Sequence, residues 1–334
     1  MRIGLLGTGP WAQRVHAPAL AAHPEAEFAG VWGRRPEAAG ELAAAHGVPA
    51  FTEVDALLAA VDAVSIALPP DVQPALAVRA AEAGRHLLLD KPVATEVEQA
   101  AAVLAAAERN GVAGQVFFTL RFDEGQSRWV EEQAAVGSWF TGHAQWLASV
   151  FSSDDSPYAA SPWRQRKGPL WDIGPHLLSV LLPVLGEIEQ VTATAGARDT
   201  VYLVFRHAGG ASSSAELSMT APPKAAGLSI ELRGEHGVTR APGSTAGAGA
   251  AFHRAVDALL ADVRGGLPGG LPGTGAGADG GASAGAGEGE GAGVSAARAG
   301  VAPCDLRFGL RVVRLLAAAE ESLLTGRAVP VAAA

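Results

Sequence analysis

The chain has 334 residues, 49% of them hydrophobic and 18% charged, and a net charge of -9. That length holds two domains of ordinary size, and the acidic balance argues against nucleic acid or an anionic membrane as partner, because both reward a basic face. A single cysteine, Cys304, excludes an intrachain disulfide framework, and without a CxxC pair or a His/Cys cluster no metal site is expected.

From the N-terminus, residues 3–6 read as a short apolar strand, 10–22 as a helix, 28–32 as a strand and 36–46 as a helix. A short helix over 54–60, a strand over 63–68, a helix over 72–83, a strand over 86–89, a helix over 96–110 and a strand over 114–118 follow. Strands that alternate with amphipathic helices make parallel βαβ units. Near-continuous apolar runs such as Val64-Ser65-Ile66-Ala67-Leu68 suit strands covered on both faces. Residues 1–120 are therefore expected to form an α/β domain with a doubly wound parallel sheet, the Rossmann arrangement.

After about residue 120 the pattern changes. Residues 138–150 read as a strand in an antiparallel setting, a polar loop runs from Ser152 to Ser156, and 170–185 is helical. Strands over 188–195, 200–206, 211–219 and 228–233 then follow without intervening helices, so 121–334 is expected to be an α+β domain with a mostly antiparallel sheet. Amphipathic helices over 252–263 and 305–324 flank a segment of mainly Gly and Ala, about 264–302, which is read as a flexible insertion because it offers too little apolar surface to offset its ordering entropy. The first apolar run is far too short for a secretory signal, and no stretch approaches the ~20 apolar residues of a bilayer span. A cytoplasmic location without membrane contact is expected.

The strongest chemical signal is Gly7-Thr8-Gly9-Pro10-Trp11-Ala12, a G-x-G-x-x-A fingerprint that leaves a predicted strand and opens a helix. Gly7 permits the tight turn, Gly9 lets a pyrophosphate approach the backbone, and Ala12 lets the helix pack close to the sheet. Pro10 fits an early helix position, and the helix N-terminus offers N–H groups and partial positive charge to phosphate. An NAD site usually carries a carboxylate at the end of the second strand. Here Trp32-Gly33-Arg34-Arg35 stands there, so Arg34 and Arg35 are expected to favour NADP over NAD by pairing with a 2′-phosphate. The alternative is two solvated arginines at a helix start.

Lys91 lies at the C-terminal end of a predicted parallel strand, where open α/β sheets bind ligands, and Pro92 holds it extended. The chain has only two other lysines, Lys167 and Lys224. Asp172 and His176 are i and i+4 and share a face if helical. A base is needed wherever an alcohol loses a proton, and a histidine titrates near neutral pH. Taken alone, Asp172 reads equally as a helix N-cap and His176 as a core histidine beside Leu177 and Leu178. Trp163, Arg164 and Arg121 are further candidates for a pocket wall, while His16 and His23 read as packing or helix-surface residues. No GxSxG, HExxH or P-loop lysine is present, which leaves hydrolase and NTPase chemistry without support.

In this order the motifs resemble the Gfo/Idh/MocA oxidoreductases. The opening glycine turn, Leu68-Pro69-Pro70, Asp90-Lys91-Pro92 and Gly168-Pro169-Leu170-Trp171-Asp172-Ile173-Gly174-Pro175-His176 carry the resemblance, which covers nearly all of the chain outside the Gly/Ala segment. It implies hydride transfer between NAD(P) and a small-molecule sugar, polyol or related carbonyl. Leu68, Pro69, Asp90 and Lys91 would line the cofactor, Lys91 and His176 would act as acid–base groups with Asp172 polarising or orienting, and the chain would form a homo-oligomer, a dimer or tetramer. The family usually has Glu at the Asp90 position and often a histidine where Gln73 stands. A non-catalytic nucleotide-binding sensor of the same fold, or a different Rossmann enzyme, are the alternatives.

Overall fold

A computed structural model describes residues 1–153, 156–244, 246–265 and 304–332. Among these residues the strands form two sheets. The first takes β1 (Arg2–Leu6), β2 (Glu27–Trp32), β3 (Ala50–Phe51), β4 (Ala63–Ile66), β5 (His86–Asp90) and β6 (Gly114–Phe117), all parallel, in the order β3-β2-β1-β4-β5-β6. This is the doubly wound arrangement expected, and it reverses direction between β1 and β4, the switch point at which such sheets bind ligands. Its strands are buried because helices lie on both faces: α1 (Ala17–Ala22), α2 (Pro36–Ala45), α3 (Val54–Ala60), α4 (Gln73–Glu82) and α5 (Val97–Arg109). The helix expected over 10–22 is not uniform. A π-helical turn, Ala12–His16, precedes α1, and such turns frequently occur at functional sites.

Two helices follow where the sequence pattern gave none, α6 (Thr119–Phe122) and α7 (Glu124–Val136). Asp123 caps α7 by accepting from the Gln126 N–H at 3.1 Å, a local signal that a charged, weakly amphipathic segment conceals. The chain then enters β7 (Trp139–Leu147) and two consecutive helices, α8 (Pro162–Asp172) and α9 (Gly174–Leu185). Helix therefore begins eight residues earlier than the expected start at 170. It kinks at Gly168, whose φ is 63°, and is interrupted at Ile173. By length and hydropathy the stretch 162–185 qualifies as a bilayer span, but it is buried inside the fold.

The remaining strands are β8 (Ile188–Ala195), β9 (Val201–His207), β10 (Ser212–Ser218), β11 (Gly227–Gly234), β12 (Gly237–Arg240) and β13 (Val329–Pro330), and the last helices are α10 (Gly247–Gly265) and α11 (Leu306–Thr325). The second sheet runs β12-β11-β7-β10-β9-β8-β13 and is antiparallel except between β7 and β10. The strand expected over 138–150 in a mostly antiparallel sheet thus has one parallel neighbour, β10, because α8 and α9 carry the chain away before the sheet resumes at β8. Strict alternation of buried and exposed residues along β9 gives this sheet one inner face, packed on helices, and one outer face in solvent. Helix α10 returns to the first sheet, where Phe252 meets His16 and Phe117 with ring centroids 4.4 and 5.1 Å apart. Helix α11 lies against α5 and β8, joining the two halves. The Gly/Ala-rich insertion, beyond the last residues of α10, lies outside the described residues.

Candidate active site

The glycine turn is shaped by close packing against the end of β4. Gly7 has φ 129°, and a Cβ there would stand 2.3 Å from the Ala67 carbonyl oxygen, so no other residue fits. Its N–H donates to the Trp32 carbonyl at 2.9 Å, tying the turn to the end of β2. Over Gly9 the space is open, with nothing within 4 Å of where a Cβ would be. Thr8 touches Gly33 closely enough to exclude a side chain there, a Cβ falling 2.6 Å from Thr8 Cγ2. Ala12 is buried against the sheet. Open space above a glycine turn, a helix N-terminus behind it and a cleft leading from it to Lys91 fit a dinucleotide. Arg34 and Arg35 stand exposed at the tip of β2, their side chains making no ion pair or hydrogen bond among the described residues.

The cleft has two walls. On one side are Gly9, Pro10, Trp11, Leu68, Pro69, Pro70, Asp90 and Lys91, from the C-terminal ends of β1, β4 and β5. On the other are Pro157, Tyr158 and Ser161, from the segment leading into α8, and Trp163 and Arg164 from its first turn. Trp163 and Arg164 line the cleft. Arg121 does not: it is buried beneath α9 and donates to the Ser179 carbonyl at 3.1 Å. His16 is a core residue, its Nδ1 2.8 Å from Ser65 Oγ, and burial pushes it down to about 3. His23 is also buried and meets Asp257 at 3.1 Å.

Lys91 emerges from a loop that is clamped from below. Gln73, fully buried at the start of α4, donates from Nε2 to the carbonyls of Asp90 (2.8 Å), Pro92 (3.2 Å) and Val93 (3.1 Å) and accepts from the Asp90 N–H at 3.1 Å. The Lys91–Pro92 peptide is cis. Asp90 Oδ1 accepts from the Lys91 N–H at 2.8 Å. Burial pushes the Asp90 carboxyl up to about 6, against the opposing charge of Lys91.

Two cations converge on Asp172. Lys91 Nζ donates to its main-chain oxygen at 2.6 Å and to Oδ1 at 2.9 Å, and Arg164 Nε donates to Oδ2 at 3.0 Å. Asp172 is the last residue of α8, not an N-cap. Burial alone would raise its carboxyl, but the Lys91 and Arg164 charges and their hydrogen bonds overcome that and bring it down to about 2. His176 sits in the first turn of α9 with its ring 5.1 Å from that of Trp146 and its buried Nδ1 unpartnered among the described residues. Burial, reinforced by the Lys91 charge, holds His176 well below its usual value, so the imidazole is neutral. The interruption at Ile173 breaks helical continuity between Asp172 and His176, yet both stay in the field of Lys91. The arrangement offers a fixed ammonium, an ionised carboxylate and a neutral imidazole beside the cleft that starts at the glycine turn.

Sequence reasoning missed Tyr158 and Ser161, and it noted Gln73 only as standing where the family often has a histidine, without a role. The local signal at Gln73 is a polar residue opening a helix three residues after the Pro-Pro turn. Tyr158 and Ser161 lie in an irregular segment that only tertiary structure brings over the glycine turn.

A sequence model of an oxidoreductase family with an NAD-binding Rossmann fold matches residues 1–118, and one of the GFO/IDH/MocA C-terminal domain matches residues 128–240. Among curated relatives, UDP-N-acetylglucosamine 3-dehydrogenase of Acidithiobacillus ferrooxidans is 43% identical over 108 residues, which is 32% of this chain and about a third (34%) of that protein. Inositol 2-dehydrogenase of Rhizobium meliloti is 29% identical over 239 residues, 71% of this chain and 70% of that one. Among solved structures, the WlbA dehydrogenase of Bordetella pertussis with NADH and UDP-GlcNAcA aligns with a TM-score of 0.77 at 23% identity, covering 100% of this chain and 99% of that one. Levoglucosan dehydrogenase with NADH and levoglucosan aligns at 0.76 and 20%, covering 99% of each chain. At these identities the solved structures establish the fold.

Proposed function

The chain belongs to the GFO/IDH/MocA oxidoreductase family, and on that premise we propose that it is a nicotinamide-dependent dehydrogenase interconverting a hydroxyl of a sugar or polyol and the matching carbonyl. The observation that carries this reading is the cluster of Lys91, Asp172 and His176 beside the cleft that starts at the glycine turn. When bound, the nicotinamide supplies the hydride chemistry at carbon. The chain's own residues manage the proton at oxygen. Lys91 donates a hydrogen bond to the substrate oxygen and stabilises the negative charge that grows on it. His176, held neutral, accepts the proton. Asp172 remains ionised at every working pH and orients Lys91 from both its carboxylate and its main-chain oxygen.

The test is direct. NADH or NADPH fluorescence changes on mixing with the protein at sub-millimolar cofactor, and a cofactor-linked absorbance screen over inositols, sugars and their keto forms returns at least one substrate. An unchanged fluorescence spectrum with both cofactors overturns the reading. For cofactor choice we propose NADP, supported by the missing carboxylate and by the two exposed arginines at the tip of β2, whose side chains have no partner among the described residues. A charge-assisted hydrogen bond is worth about 1.5–3 kcal/mol, so NADPH should bind about tenfold or more tighter than NADH, and Arg34→Ala with Arg35→Ala should erase the difference. A tighter Kd for NADH sinks this choice.

We further propose a homo-oligomer joined across the outer face of the second sheet, where Tyr202, Val204 and Val238 are 43%, 56% and 53% exposed. Light scattering should give the mass of a dimer or larger, and Val204→Glu should lower it toward the monomer. A monomeric wild-type chain refutes this.

A further inference from the structure

Asp172 divides its carboxylate between two cations, and the second of them, Arg164, is held with unusual firmness. Its guanidinium lies over the ring of Tyr158 at 4.7 Å and over that of Trp163 at 4.6 Å. Nε donates to Asp172 Oδ2 at 3.0 Å, and Nη1 reaches Ser161 Oγ at 3.5 Å. A guanidinium is charged at every working pH and its planar fork keeps its direction. Cation–π contacts on two rings restrain it further. Rotation of the Asp172 carboxylate would have to break this contact before Oδ1 could leave Lys91.

We propose that Arg164 is a positioning residue of the proton-transfer set, acting through Asp172 to fix the direction of the Lys91 ammonium and supplying the second positive charge that sets the electrostatic balance of the cleft. The proposal rests on the dehydrogenase reading above for its catalytic meaning, but its electrostatic content stands on geometry alone. It also explains why the segment from Tyr158 to Arg164 must fold over the cleft for the set to be complete: Tyr158, Ser161 and Trp163 are the residues that hold the guanidinium in place.

The groups that face this charge come from every element around it. Asp90 and Lys91 come from the end of β5, Asp172 from α8, His176 from α9 and Tyr158 from the segment before α8, while Arg14 adds its charge near Tyr158. Burial raises Asp90 and lowers His176, and on both the Arg164 charge adds a downward pull. On Asp172 it works in the same direction, beside the larger effect of Lys91. Removing the charge therefore moves all three groups toward higher pH. A lesion that merely loosened the fold would not shift them together.

The experiment uses the full chain as wild type, Arg164→Met and Arg164→Lys. Methionine keeps an apolar stem against the two rings, and lysine restores the charge without the fork. Histidine side-chain NMR, with the His176 signal assigned from His176→Gln, follows its titration, and NADPH fluorescence reports on an intact cleft. In wild type His176 should titrate well below its ordinary ~6.5. In Arg164→Met its midpoint should move upward in pH, with partial return in Arg164→Lys. On the substrate found by the screen, kcat of Arg164→Met should fall about 100-fold, as a misplaced group can cost, and the acid limb of the pH profile should shift upward with it. If Arg164→Met retains NADPH affinity and its His176 midpoint equals that of wild type, the proposal is wrong. Should that variant not fold, an unmoved midpoint in Arg164→Gln with NADPH affinity retained overturns it equally. Failure of the dehydrogenase reading would register separately, as absent cofactor binding in the wild-type protein.

Discussion

Replacing Lys91 with methionine lowers turnover by about three orders of magnitude and leaves the Kd for the nicotinamide cofactor within a few-fold of wild type. Acid–base groups placed at the reacting atom contribute about 10²–10⁴-fold, and Lys91 holds the one ammonium that bonds Asp172 while lining the cleft. The fold should survive, because Asp172 keeps Arg164 as counter-ion and is not left as an unpaired buried charge. Gln73 grips only main-chain atoms of the loop, so the turn retains its path without the lysine. Circular dichroism and cofactor fluorescence confirm integrity, and steady-state kinetics on the screened substrate give the loss. A variant retaining a tenth or more of wild-type kcat would take Lys91 out of the proton-transfer role.

Asp172→Asn should be the more damaging change to stability. It removes the carboxylate between Lys91 and Arg164 and leaves two cations facing one neutral amide in a site where all three side chains are at most 19% exposed. The folded carboxyl lies at about 2, against 3.8 for the free group, which corresponds to about 2–3 kcal/mol. Because the folded value is depressed, that contribution is complete above pH ~4 and disappears as pH falls through ~2. The gap in unfolding free energy between wild type and Asp172→Asn should therefore be about 2–3 kcal/mol at pH 7 by urea denaturation and should close between pH 4 and 2. A gap independent of pH over that range would mean that the aspartate acts through packing, not charge. Activity should fall as in Lys91→Met, since the ammonium loses its guide.

The first half of the molecule was legible because its information is local. Alternating apolar strands and alanine-rich helices define the sheet, and the G-x-G-x-x-A turn needs only its own glycines and the end of β4. Lys91 was visible through its rarity and its place after β5. What escaped depends on partners distant in sequence. The π-helical turn holds His16 between Ser65 and Phe252, and Phe252 arrives from α10. Helix α7 carries too many charged and polar residues to announce an apolar face, and α6 is only four residues long. Asp172 read equally as a cap until Lys91 and Arg164 were seen on its two oxygens. The parallel pairing of β7 with β10 is a matter of topology that alternation within a strand does not encode.

Gln73 makes all four of its loop contacts to main-chain atoms: the carbonyls of Asp90, Pro92 and Val93 and the N–H of Asp90. It is therefore blind to which side chains the loop carries. Position 90 can be exchanged, for instance by Asp90→Glu, without asking the glutamine to change its grip, and the same holds at Val93. The lysine thus sits on a scaffold whose path is fixed independently of its neighbours' identities, so its surroundings are open to retuning while its place is kept.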